Sequence, residues 1–229
     1  MQPDILYSMT FQNGRREEIA INLDVESGEI LVDDDFIPPA WALLGHQQCS
    51  HCPLHSDEVT YCPIARNLAY LFSGRNTGTS HDKVFLRVQV GQRGYVFDET
   101  TTQRALSSLF GLICALSPCP HTLPLRPMGL FHLPLATDVE TLVRISSLFL
   151  LRSYLSHQDR PTDPVDLSDM EATYSNLGKL NQGMAARLRS ASSSDTAVNA
   201  ITLLDVLVKD VRFELDSQLA LLKQLMRVS

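Results

Sequence analysis

Cys49 and Cys52 stand in Cys49-Ser50-His51-Cys52-Pro53, and Cys62-Pro63 follows after nine residues. Two further cysteines lie downstream, Cys114 within an apolar run and Cys119 in Ser117-Pro118-Cys119-Pro120. A C-x2-C spacing lets one tight turn aim two sulfurs at the same point, as tetrahedral zinc and iron–sulfur sites require. Cys62 can fold back across a short loop as a third ligand. Cys119 is the expected fourth, because it shares the Cys-Pro context of Cys52 and Cys62 and sits in proline-rich, irregular chain. Cys114 lies between Ile113 and Ala115 and is expected to pack in the core, as free cysteines commonly do. The expected metal ligands are therefore Cys49, Cys52, Cys62 and Cys119.

Zinc accepts four thiolates and is the expected metal; an iron–sulfur cluster on the same four ligands is the alternative. Four protein sulfurs leave no open coordination position, which favours a structural, sensory or regulatory role over hydrolysis. His46, His51, His55, His121 and His132 are further candidates to join the site. Should one position be open, the protein is instead a metalloenzyme with a histidine or Arg126 beside the metal. A third reading is a thiol redox switch, with a reversible disulfide between Cys49 and Cys52. The usual redox context, C-x2-C opening a helix beside a βαβ unit, is missing, and Pro53 directly follows Cys52. Known enzyme fingerprints do not fit. Residues 74–80 have the wrong glycine spacing and no lysine for a phosphate loop. G-x-S-x-G, H-E-x-x-H, G-x-G-x-x-G and the deaminase H-x-E are absent.

The elements that must hold these cysteines follow from periodicity. Residues 7–11, a turn containing Asn13-Gly14, and residues 18–23 read as a β-hairpin. Residues 30–32 read as a third strand after the Ser27-Gly28 turn, and the acidic run 33–35 as a solvated loop. A helix is expected over 64–72, strands over 83–90 and 95–97, and a helix over 101–116. Residues 117–134 hold five prolines and are expected to be irregular. Capping-box patterns at 137–140 and 168–171 open two helices. The first is expected to bury Leu142, Ile145, Leu148, Phe149 and Leu155; the second is marked by Tyr174, Leu177, Met184 and Leu188. A last helix from Asp195 carries apolar residues from Ile201 to Leu225 at helical spacing. It either packs on the two preceding helices or forms a homodimer or partner surface, with Gln218 interrupting the heptad. The fold class is α+β: an N-terminal antiparallel β-sheet with the Cys-rich metal-binding loop, then a C-terminal helical bundle. Residues 1–134 and 135–229 are the two expected parts, or one continuous domain.

The chain has 229 residues, with 19 Lys+Arg against 26 Asp+Glu and a net charge of −7. That balance argues against a nucleic-acid or anionic-membrane surface, either of which needs a basic patch. The opening residues lack the basic and then apolar pattern of a signal peptide. The longest apolar run, 109–116, is far below the roughly 18 residues of a membrane span. With an odd number of cysteines, a cytoplasmic address is expected, where clustered cysteines are more often metal ligands than disulfides.

The chain also resembles a family of uncharacterised conserved bacterial proteins. The resemblance rests on Cys-x2-Cys-Pro-Leu at 49–54, Cys62-Pro63, Leu-Ser-Ser-Leu at 106–109, and residues 117–120 and 126–134. It covers most of the chain and implies a bacterial origin, with no activity attached.

Overall fold

The computed structural model describes residues 3–156 and 168–191, together with residues 223, 224, 226 and 227. Strands β1 (Ile5–Phe11) and β2 (Arg16–Ile21) form the expected hairpin. Gly14 takes φ 83° in its turn, and the Asn13 side chain accepts from the Arg15 amide. Asn-Gly suits this turn because both residue types tolerate positive φ. Ile5, Tyr7, Met9, Ile19 and Ile21 fall on one face and are buried, as period-2 alternation requires.

The third strand expected over 30–32 does not form; Ile30 makes only an isolated bridge to Leu23. Its amide instead donates to the carbonyl of Leu116. The free edge of β1 is taken by β3 (Lys83–Val90), which pairs along all seven residues from Ile5↔Val90 to Phe11↔Val84. That long pairing matches two alternating apolar rows. Strand β4 (Arg93–Thr101) extends well beyond the expected 95–97. Its second half is polar and mostly exposed, which suits an edge strand and hides it from a hydrophobicity-based reading. The sheet is fully antiparallel, ordered β2-β1-β3-β4.

Helices α1 (Pro63–Phe72) and α2 (Thr102–Ala115) share the core of the sheet's apolar face. Pro63 opens α1 at a position where its missing N–H costs nothing. The Thr101 side chain accepts from the Arg104 amide and caps α2. Phe72 meets Phe110 edge-on at 5.2 Å between ring centres. Nearly every residue of α2 from Ala105 onward is buried, because other elements cover the side that faces away from the sheet.

Residues 117–134 are more regular than expected. A short 3-10 turn, Leu123–Leu125, leads into the five-residue helix α3 (Arg126–Leu130). Pro124 and Pro127 fall in the first turn of each, where proline is tolerated. Gly129 lets α3 approach α2 closely: an added Cβ would stand 2.7 Å from the Leu116 side chain.

Helix α4 (Asp138–Ser156) opens with the expected capping box. The Glu140 carboxylate accepts from the Thr137 amide, and Thr137 Oγ1 accepts from the Glu140 amide. Leu142, Ile145 and Phe149 are buried as expected, but Leu155 is 55% exposed. Helix α5 (Ser168–Ala191) serves two cores. Met170, Tyr174 and Leu177 pack with α4, while Leu180, Met184, Ala185 and Leu188 join the core under the sheet. The helix expected from Asp195 onward, with its dimer seam, lies almost wholly outside the described residues. Among the described residues, no helix is long and apolar enough to cross a membrane.

Candidate metal centre

The two ends of the cysteine loop are joined by a small ladder. Leu43 bridges Tyr61, the Leu44 amide donates to the Thr60 carbonyl, and the Cys62 amide donates to the Ala42 carbonyl. Within the loop, the Cys52 amide donates to the Cys49 carbonyl at 3.0 Å. That turn is the one a C-x2-C pair needs to direct both sulfurs to one side. Cys62 occupies the N-cap position of α1, with no side-chain hydrogen bond to the helix. Cys119 arrives from beyond α2, and its carbonyl accepts from the Thr122 and Leu123 amides in a tight turn.

All five cysteines are free thiols. Cys62, Cys114 and Cys119 are buried in the main core, and Cys49 and Cys52 pack against it. Three separate stretches of chain thus bring the expected ligands into one neighbourhood. Burial raises the Cys49 thiol to about 11, with added repulsion from Cys62, Cys119 and Cys52. Cys119 is likewise raised to about 11, first by burial. Cys114 is raised further still by full burial, with added repulsion from Cys119, Cys62 and Cys49. It packs in the core as expected and also borders this cluster. Among the described residues, no group of three or more His, Cys, Asp or Glu side chains stands arranged to hold a metal ion. The thiols share a neighbourhood rather than a finished ligand cage.

The histidines divide. His51 and His121 stack face to face, 4.0 Å between ring centres, and His121 Nε2 bonds the His51 carbonyl oxygen at 2.9 Å. They tie the Cys49–Cys52 turn to the Cys119 segment. His46 bonds Ser190 on α5 at 2.7 Å, and His55 is exposed. His132 belongs elsewhere: its Nε2 lies 2.5 Å from the buried Tyr7 hydroxyl. Arg126 donates to the Ser27 carbonyl and pairs with Glu29 at 2.9 Å, so it is committed to structure.

The residue that sequence reasoning missed is Arg187. It is 1% exposed, yet no carboxylate pairs with it among the described residues. Its guanidinium donates to the carbonyls of Trp41, Leu43 and Leu44 at 2.6, 2.6 and 3.1 Å, while Nε has no partner. Burial works against its charge, and the groups that support the charge are Cys62, Cys49 and Cys52. A signal was available. Leu180, Met184 and Leu188 mark the buried stripe of α5, and Arg187 falls within it.

Gly183 on α5 faces the cluster from the same side. An added Cβ would stand 2.8 Å from Cys49 Sγ, while Gly178 in the same helix has open space. Gly178→Ala is therefore expected to stabilise by up to about 1 kcal/mol through helix propensity. Gly183→Ala should destabilise by about 1–3 kcal/mol through overpacking against Cys49. Urea unfolding of the two variants checks the opposite signs.

His132 supplies a pH prediction. Burial, with Arg144 nearby, lowers its pKa to about 3, against about 6.5 unfolded. The unfolded chain then binds the extra proton, so this contribution is full above pH 6.5 and is lost as pH falls toward 3. The expected slope is about 1.4 kcal/mol per pH unit between pH 6 and 4. Denaturation of His132→Asn over that range should show a slope smaller by that amount.

Fold and site together define an α+β protein whose core holds Cys62, Cys114 and Cys119, with Cys49 and Cys52 packed against it and Arg187 buried on the carbonyls of Trp41, Leu43 and Leu44. A family model described as Domain of unknown function (DUF6901) matches residues 5–227, and the chain belongs to that family. The membership agrees with the resemblance to an uncharacterised family noted from the cysteine and proline motifs. No curated protein and no solved structure matches the chain.

Proposed function

We propose that the protein is a cytoplasmic metal-binding protein in which Cys49, Cys52, Cys62 and Cys119 ligate one zinc ion. The centre is closed, and its role is structural, sensory or regulatory. The observation that carries this reading is Arg187, a buried cation on the backbone carbonyls of the segment leading to Cys49, with no carboxylate partner among the described residues. Burying an unpaired guanidinium costs several kcal/mol. Neutral thiols offer it little, whereas four thiolates around Zn²⁺ carry a net charge of 2 − 4 = −2. Arg187 is the counterion such a centre needs in a dry core.

Cobalt substitution tests the ligand set. Co²⁺ in a tetrahedral thiolate site gives intense visible bands, which should saturate at about one equivalent, as a single site demands. They should fade in each of the four Cys→Ser variants and persist in Cys114→Ser. Absence of the bands in the reduced wild-type chain would contradict the reading.

An iron–sulfur cluster on the same four ligands is the alternative, and the iron and sulfide content of the purified chain distinguishes it from zinc.

A further inference from the structure

A cavity of about 340 Å³ lies between α2, the stretch around α3, α4 and α5. Its size falls within the range of small-molecule sites, about 300–1,000 Å³. Leu112, Met128, Ile145 and Leu177 supply apolar walls, and a few polar groups converge among them.

His132 is the first of these groups. It is 7% exposed and lines the cavity, with Nε2 bonded to Tyr7. Among the described residues, Nδ1 has no hydrogen-bond partner. The protons of the relay can be assigned. The Leu135 amide donates to Ser108 Oγ at 3.1 Å, and Ser108 Oγ lies 3.1 Å from the Tyr7 hydroxyl. A phenol is the better donor and a neutral imidazole nitrogen the better acceptor, so Tyr7 O–H donates to Nε2. Ser108 O–H then donates to the Tyr7 oxygen. Burial keeps the imidazole neutral, so its one N–H is at Nδ1. The relay fixes the tautomer and leaves His132 with a donor to offer.

Arg144 is the second group. It lines the cavity half-buried, and its Nη2 donates to the carbonyls of Phe131 and Met128 at 2.6 and 3.3 Å. No carboxylate pairs with it among the described residues. Glu140, one turn earlier on α4, is held by Thr137 in the helix cap. A cation and a neutral N–H donor thus flank an apolar chamber. Arg104 adds a second positive charge, and the exposed Asp138 sets one negative charge against a doubly charged ligand.

We propose that this cavity binds a small amphipathic monocarboxylic acid, with its carboxylate on Arg144 and His132 Nδ1–H and its apolar body between α2, α4 and α5. The site uses none of the four proposed metal ligands, although Cys114 lines it and borders the thiol cluster, and its test does not require the metal reading to hold.

Calorimetric titration of the full chain with octanoate, and in parallel with 1-octanol, tests it. Octanoate should bind with one-to-one stoichiometry, about tenfold or more tighter than octanol, as charged hydrogen bonds imply. His132→Gln and Arg144→Gln should each weaken octanoate about tenfold and leave octanol unchanged. The proposal is overturned if octanoate shows no saturable one-to-one binding, or if octanol binds as tightly. It is also overturned if both variants, folded by circular dichroism, keep wild-type octanoate affinity. Should the variants fail to fold, the ratio of octanoate to octanol affinity in the wild-type chain decides alone.

Discussion

Cys119→Ser should lose the bound metal and melt about 10 °C or more below the wild-type chain. Structural zinc contributes about 10–16 kcal/mol of apparent binding free energy, against a net domain stability of about 5–15 kcal/mol. Removing one of four thiolates forfeits enough of this to cost at least about 4 kcal/mol. For a chain of this size each kcal/mol shifts the melting temperature by about 2–4 °C. Cys119 is the most informative ligand to change because it is remote in sequence from the other three. Its metal bond would join the segment after α2 to the loop before α1, and no other covalent link does so among the described residues. Cys114→Ser separates metal loss from a packing defect. That variant removes a buried thiol from the same core yet should retain full metal content. Elemental analysis and thermal melts of the two variants, side by side, check the contrast.

Arg187 carries the second large effect. Arg187→Met removes the buried charge and leaves the carbonyls of Trp41, Leu43 and Leu44 without their donor. Taking one partner from a buried ionic arrangement typically costs about 3–5 kcal/mol. An anionic thiolate centre would also lose its counterion, so the metal should be held more weakly. Arg187→Lys keeps the charge but cannot reach three carbonyls with a planar fork. Lysine should therefore destabilise the fold while keeping the metal, and methionine should lose both. A zinc chelator competition measures affinity apart from stability. Equal zinc affinity in wild type and Arg187→Met would remove the counterion argument.

How far this architecture could be read in the residues depends on where the information sits. Local periodicity carries β1, β2, β3 and the helices, because each element declares its buried face in its own spacing. Strand β4 exceeds its apolar core because an edge strand has little face to bury. Residues 30–32 look like a strand in isolation. They bridge only Leu23, past the end of β2, while the Ile30 amide turns to the Leu116 carbonyl, a distant partner that local sequence does not name. The prolines of 117–134 suggested irregular chain, yet two of them occupy first-turn positions that a helix accepts. The cysteine grouping was legible through spacing and the shared Cys-Pro context. The burial of Arg187 is signalled by its place in the apolar stripe of α5, but its partners are not, since they are backbone carbonyls of a distant loop. The Tyr7–Ser108–His132 relay was hidden for the same reason, with its three members on a strand, a helix and a loop.

The central claim is that the four cysteines hold one metal. The most direct measurement is elemental analysis and a visible spectrum of the full chain, purified anaerobically without added metal. A colourless protein with about one zinc per chain is expected, as a single four-thiolate site requires. A brown protein with iron and acid-labile sulfide would keep the ligand set and replace zinc by a cluster. A colourless protein with five titratable thiols and neither zinc nor iron would contradict it.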